Sequence, residues 1–225
     1  MRLGEELPDA KKSAEYSTLL LNVSEFENID DATESLVAMS QAYKDLDKID
    51  IIDKLNNIGN NFSISTSDLA KSLQKSAGAL TTAHNSIDEA IALTVAGNQV
   101  LQSPDIVGQS LKTIALRLTG TSIEDMQEAG EEIDGLISTQ SKLRKTIMDI
   151  TKVSSNNYKG FDILDSNGNY KTTYEMLKGI AEVWGEIAEE DKKFGSNRQS
   201  LLLETIAKCL LWYVEIHIGN IFNCR

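Results

Sequence analysis

Cysteine, proline, positive charge and long apolar runs are all scarce in this chain. Its 2 cysteines, Cys209 and Cys224, lie near the C-terminal end; they offer no disulfide framework and no metal-ligand spacing, so a reducing compartment is the expectation. Its 2 prolines, Pro8 and Pro104, leave almost nothing to interrupt helices across 225 residues. The 22 Lys and Arg are outnumbered by 34 Asp and Glu, a net charge of −12 that argues against a nucleic-acid or anionic-membrane surface as the main partner. No uncharged run reaches the ~18 residues that suggest a membrane span; the longest apolar stretches are Ala90 to Gly97 and Cys209 to Val214. The opening MRLGEELPDAKK has no apolar core and carries acids, so no export signal is expected there.

What is present is a globular composition, 41% hydrophobic with a mean hydropathy of −0.24, and enough chain for one or two domains. Ala, Leu, Lys, Glu and Gln recur throughout and favour helix. The fold class expected is all-α, a helical bundle with one small β-hairpin insertion. Charge divides the chain unevenly: residues 1–60 hold 6 bases and 13 acids, 61–120 hold 4 and 4, 121–180 hold 7 and 10, and 181–225 hold 5 and 7. This suggests acidic N-terminal helices over 1–60 and a bundle core over 61–120. Residues 121–207 read as an acidic loop, a helix, the hairpin and C-terminal helices, and 208–225 as an atypical tail.

In the first segment, Leu36, Met39, Tyr43 and Leu46 form a narrow stripe, like a coiled-coil seam, behind Asp30 as the expected N-cap. Ile52, Leu55 and Ile58 mark a second helix that should stop at Gly59, with Asn60 and Asn61 in the turn. Ser65 with Asp68 opens a helix whose inward face is Leu69, Leu73, Ala77 and Leu80 and whose end falls near His84 and Asn85. Ser86 and Glu89 make a capping box, and the helix behind them is apolar nearly all round, which requires other helices around it. Ser103, Pro104 and Asp105 start a third helix, with Val107, Leu111, Ile114, Ala115 and Leu118 facing inward until Gly120. Three antiparallel helices with short links are the simplest packing.

Six acids and no base occupy 121–135 around Gly130 and Gly135, the expected boundary. A helix around Leu143, Ile147 and Ile150 follows and should stop at Ser154 to Asn157. Asn167 and Gly168, set between short apolar runs, signal the hairpin. Thr172 with Glu175 is another capping box, with Tyr174, Leu177, Ile180, Ala181, Trp184 and Ile187 on one face, and Ser196 with Gln199 opens the last helix.

None of this assembles chemistry. His84 and His217 are far apart, and neither cysteine has a partner nearby in sequence. The run Asp165 to Asn169 resembles a calcium loop, but that loop needs Gly sixth and Glu twelfth, where this chain has Tyr170 and Met176. The acids from Glu124 to Asp134 have no apolar frame to raise a pKa and read as a solvated face. No phosphate loop ending in Gly-Lys-Ser or Gly-Lys-Thr occurs. Lys112, Arg117, Lys142, Arg144 and Lys145 lack interleaved aromatics and are expected in ion pairs. Trp184 is expected in the core. No catalytic residue, cofactor site or metal site is expected, and the chain is expected not to be an enzyme.

Three stretches carry a resemblance: DIIDKLNNIGNNFSISTSDLAKSLQKSAGAL (50–80), SIDEAIALTVAGNQVLQSPDIVGQSLKTIALRLTG (86–120) and YEMLKGIAEVWGEI (174–187). They resemble the tail tape measure protein of long-tailed bacteriophages, over approximately residues 30–206. The resemblance implies a structural protein inside the tail tube that helps set tail length during assembly and is expelled ahead of the DNA. It also implies the tail tube, a tail assembly chaperone and tail tip proteins as partners, self-association through helices, and residence in the virion tail and in the host cytoplasm during assembly. Two departures stand out: members of that family are very long, and here the run after Ala207 becomes Lys208-Cys209-Leu210-Leu211-Trp212. A frameshifted or truncated prophage fragment is therefore expected. The alternative is a small helical protein-interaction or membrane-active module without enzymatic activity, suggested by the all-round apolar helix.

Overall fold

The computed structural model describes residues 7–119, 121, 123–128, 130, 140–152 and 159–183. The expected end at Gly120, the acids at 131–134, the stop at Ser154 to Asn157, Trp184, Ile187, the helix from Ser196 and the 208–225 tail with His217 and both cysteines lie outside the described residues. Within them the chain is helical: α1 (Leu7–Asn22), α2 (Ile29–Ala42), α3 (Lys48–Asn61), α4 (Thr66–Thr82), α5 (Ile87–Leu101), α6 (Pro104–Leu118), α7 (Ile123–Glu128), α8 (Gln140–Ile150) and α9 (Thr173–Glu182). One hydrophobic cluster runs from Leu20 in α1 to Ala181 in α9.

Local signals place most helix starts. Ser65 accepts a bond from Asp68 N at 3.0 Å, and Pro104 occupies the first turn of α6. Two expected boundaries move. The N-cap of α2 is Asn28, whose Oδ1 accepts from Asp31 N at 2.9 Å, so Asp30 sits inside the first turn, where its charge meets the positive end of the dipole. Gly59 does not end α3, which continues to Asn61. Its value is space: a Cβ there would overlap Thr66 Oγ1 and lie 2.9 Å from Thr66 N, so the bare backbone lets the start of α4 close on α3.

Helix α4 is central, touching α2, α3, α5 and α6, and its broadest interface is with α6. Ser72 meets Gly108 while Lys75 Nζ meets Asp105 Oδ1 at 2.6 Å, so the register runs in opposite senses and the two helices are antiparallel where they touch. A simple up-down-up order would make them parallel, so the expected three antiparallel helices do not form. Gly108 permits the contact: its Cβ would stand 2.5 Å from Ser72 O. Likewise α2 buries Ala32, Ser35, Leu36, Val37 and Met39, a broader face than the expected seam, because α1, α3 and α4 all pack on it. The apolar helix α5 is buried continuously from Ala90 to Asn98, as its composition requires.

The expected β-hairpin is not present: among the described residues no strand forms, and Leu164 and Tyr170 make only an isolated antiparallel bridge. Backbone bonds from Asp165 N to Asn169 O at 2.8 Å and from Lys171 N to Ile163 O at 2.9 Å flank that bridge. Asp165 Oδ1 accepts from Asn167 N at 2.8 Å and Asn169 N at 2.9 Å, which closes a turn on itself. On one side the Asp162 side chain is held by Arg144 of α8, Nε to Oδ1 at 2.7 Å, and on the other Thr172 caps α9, so the chain enters a helix directly after the bridge.

Candidate functional site

The most organised polar arrangement in the described residues is where the starts of α5 and α9 meet. Each helix opens with backbone N–H groups that have no partner inside the helix. At α5, Ser86 Oγ accepts from Glu89 N at 3.2 Å and Glu89 Oε2 accepts from Ser86 N at 2.8 Å. At α9, Thr172 Oγ1 accepts from Glu175 N at 3.1 Å and Glu175 Oε2 accepts from Thr172 N at 3.0 Å. Both capping boxes anticipated from sequence are therefore formed.

The two boxes are joined. Thr172 Oγ1 donates to Glu89 Oε1 at 3.0 Å, and Tyr174 N donates to Asn85 Oδ1 at 2.9 Å. Asn85 thus acts as a second, remote cap on α9. Its own place is set by the end of α4: His84 N donates to Thr81 O and Asn85 N to Leu80 O, both at 2.9 Å, with His84 left-handed at φ 61. This is the paired-bond helix stop normally given to glycine. Asn85 Nδ2 then donates to Leu80 O and Ala83 O, so the buried carboxamide has partners at both ends.

Two tyrosines stand near Glu89. Burial pushes the Tyr43 hydroxyl up to about 12; the Glu89 charge adds to this and Thr81 opposes it. Among the described residues no partner within hydrogen-bonding geometry reaches that hydroxyl. Tyr174 is raised by burial first and by Glu89 second. Both oxygens of Glu89 are occupied by donors, so the joint fixes position and offers no spare base.

Other residues weighed from sequence are dispersed. His84 is an exposed helix-end residue. Glu124, Asp125 and Glu128 are exposed on the short α7, as a solvated face would be. Arg144 forms the expected ion pair, with Asp162, whose carboxyl is held below its ordinary range chiefly by that hydrogen bond. Asp165 is also held low, chiefly by the Asn169 N–H, and its carboxylate serves the turn. Among the described residues no group of three or more His, Cys, Asp or Glu could hold a metal ion, and no helix is long and apolar enough to cross a membrane. Sequence reasoning found both capping boxes but missed Asn85, because nothing near it in the chain points to residue 174.

The model of the family described as phage-related minor tail protein matches residues 5–198, and this chain belongs to that family. No solved structure matches it.

Proposed function

We propose, from membership in that family, that the chain acts inside the phage tail as part of a tape measure protein, occupying the tail tube and contributing to tail length during assembly. The observation that carries this reading is the family match over residues 5–198, which spans all of the described helices. The three stretches that resemble tape measure proteins fall wholly within that match. A helical body whose polar groups are spent on caps and ion pairs suits a structural part, and we assign it no catalytic activity. The tail tube, an assembly chaperone and tail tip proteins are the proposed partners, and the virion tail and the host cytoplasm during assembly the proposed locations.

The test is genetic. In a phage carrying this region within its tail protein, in-frame duplication or deletion of helices α2 to α6 should lengthen or shorten the tail in electron micrographs. Unchanged tail length with normal assembly would remove the ruler role while leaving the tail assignment intact. Clearing of purified cell wall in a zymogram would overturn the non-enzymatic reading.

A further inference from the structure

The chain contains a single Asn-Gly pair, Asn167-Gly168, and the turn that holds it serves no role in the proposed function. Both residues are exposed, Gly168 has φ +84, and nothing lies within 4 Å of where its Cβ would be. Water therefore reaches the Asn167 carboxamide. Among the described residues no hydrogen bond engages that carboxamide, and the residue's one bond there runs from its backbone N to Asp165 Oδ1. Other asparagines differ. The carboxamides of Asn60, Asn61 and Asn85 donate within or at the ends of helices, and that of Asn169 reaches Asp165. Gly168 N bonds Asp165 O at a long 3.2 Å and also faces the Asp165 carboxylate, which the amides on either side bond at 2.8 and 2.9 Å.

We propose that Asn167 is a site of spontaneous deamidation on the folded protein, with Gly168 N as nucleophile and solvent water as co-reactant. Gly168 N loses its proton to solvent base and forms a bond to Asn167 Cγ. The Cγ–Nδ2 bond breaks, and the amide nitrogen leaves as ammonia after taking up a proton. Water then adds to one carbonyl of the five-membered imide. Opening at one carbonyl gives aspartate at position 167, and opening at the other gives isoaspartate, whose backbone is longer by one methylene. Either product adds a negative charge two residues from Asp165. The isoaspartate form also lengthens the chain between Asp165 and Asn169, so the carboxylate can no longer serve both amides. The Gly168 N bond to Asp165 O must open first, so the folded chain reacts more slowly than the unfolded one, but faster at this position than at its helix-bound asparagines.

The test is incubation of the intact chain at mildly alkaline pH, with digestion at lysine and mass measurement of peptide 160–171. The expected result is the mass gain of an amide NH2 replaced by OH, confined to that peptide and accruing faster than in peptides holding Asn60, Asn61 or Asn85. Both aspartate and isoaspartate should be present, and Asn167→Ser should abolish the gain without disturbing the helices. If the native chain shows no gain there while urea-unfolded chain does, the turn protects Asn167 and the proposal fails. Equal rates at Asn167 and at the helix-bound asparagines would also overturn it.

Discussion

Glu89 closes the capping box of its own helix with one carboxylate oxygen and receives the Thr172 hydroxyl, 83 positions later, with the other. The same joint contains the bond from Tyr174 N to Asn85 Oδ1. Asn85→Ala leaves that buried N–H without a partner and removes both bonds to the end of α4, so a loss of about 1–3 kcal/mol is expected in urea unfolding. Hydrogen exchange at Tyr174 should accelerate in the variant; an unchanged rate would mean that the remote cap contributes nothing.

Thr172→Ala removes an N-cap and the link to Glu89 together. A loss of about 1 kcal/mol is expected from the cap alone. A double-mutant cycle with Glu89→Gln, read by urea unfolding, separates the link from the cap, and zero coupling would show the two boxes to be independent.

Gly108 and Gly78 should respond in opposite directions to alanine. At Gly108 a Cβ meets Ser72 O at 2.5 Å between two closely packed helices, so overpacking of about 1–3 kcal/mol is expected. At Gly78, exposed within α4 with nothing near its Cβ, alanine should stabilise by about 0.5–1 kcal/mol. Thermal unfolding of the two variants checks both signs.

His84→Gly should stabilise the chain, because histidine bears the left-handed penalty of roughly 1–2 kcal/mol that glycine avoids, offset in part by glycine's greater entropy when unfolded. A lower melting temperature in this variant would show that the imidazole has a stabilising contact of its own.

Tyr43 gives a defined alkaline response. Its hydroxyl ionises at 10.0 when unfolded and at about 12 when folded, so between those values the unfolded chain releases a proton that the folded chain keeps. Stability should therefore fall as pH rises through that window. Tyr43→Phe should flatten the slope and cost little at neutral pH, since the hydroxyl it removes has no hydrogen-bond partner among the described residues; urea titrations at several pH values read both. Asp162 behaves in the opposite sense at the acid end. Its folded value lies below 3.8, so the stability it contributes is complete above that value and is lost as pH falls through the folded value.

Helix existence and most starting residues could be read locally, because a cap and its N–H donor lie within three residues, as at Ser65, Ser86 and Thr172. The burial of α5 was equally legible, since an all-round apolar helix has no stable place at a surface. Endings were less so: Gly59 has the signature of a helix stop, yet its bare Cα is used for close approach to Thr66, a neighbour that sequence does not announce. The hairpin at Asn167 failed for a related reason, since a turn signal says nothing about how far the flanking residues can pair, and here α9 begins at Thr173, directly after the bridge at Tyr170.

The amino-acid order alone therefore determined that this chain is helical, where most helices begin and which faces are apolar, because these depend on interactions a few bonds long. Only the tertiary structure decided that α6 runs antiparallel to α4 and that Asn85 caps α9. Those outcomes depend on which distant backbones can approach closely enough to satisfy each other's polar groups, a matter of shape and space rather than of neighbouring residues.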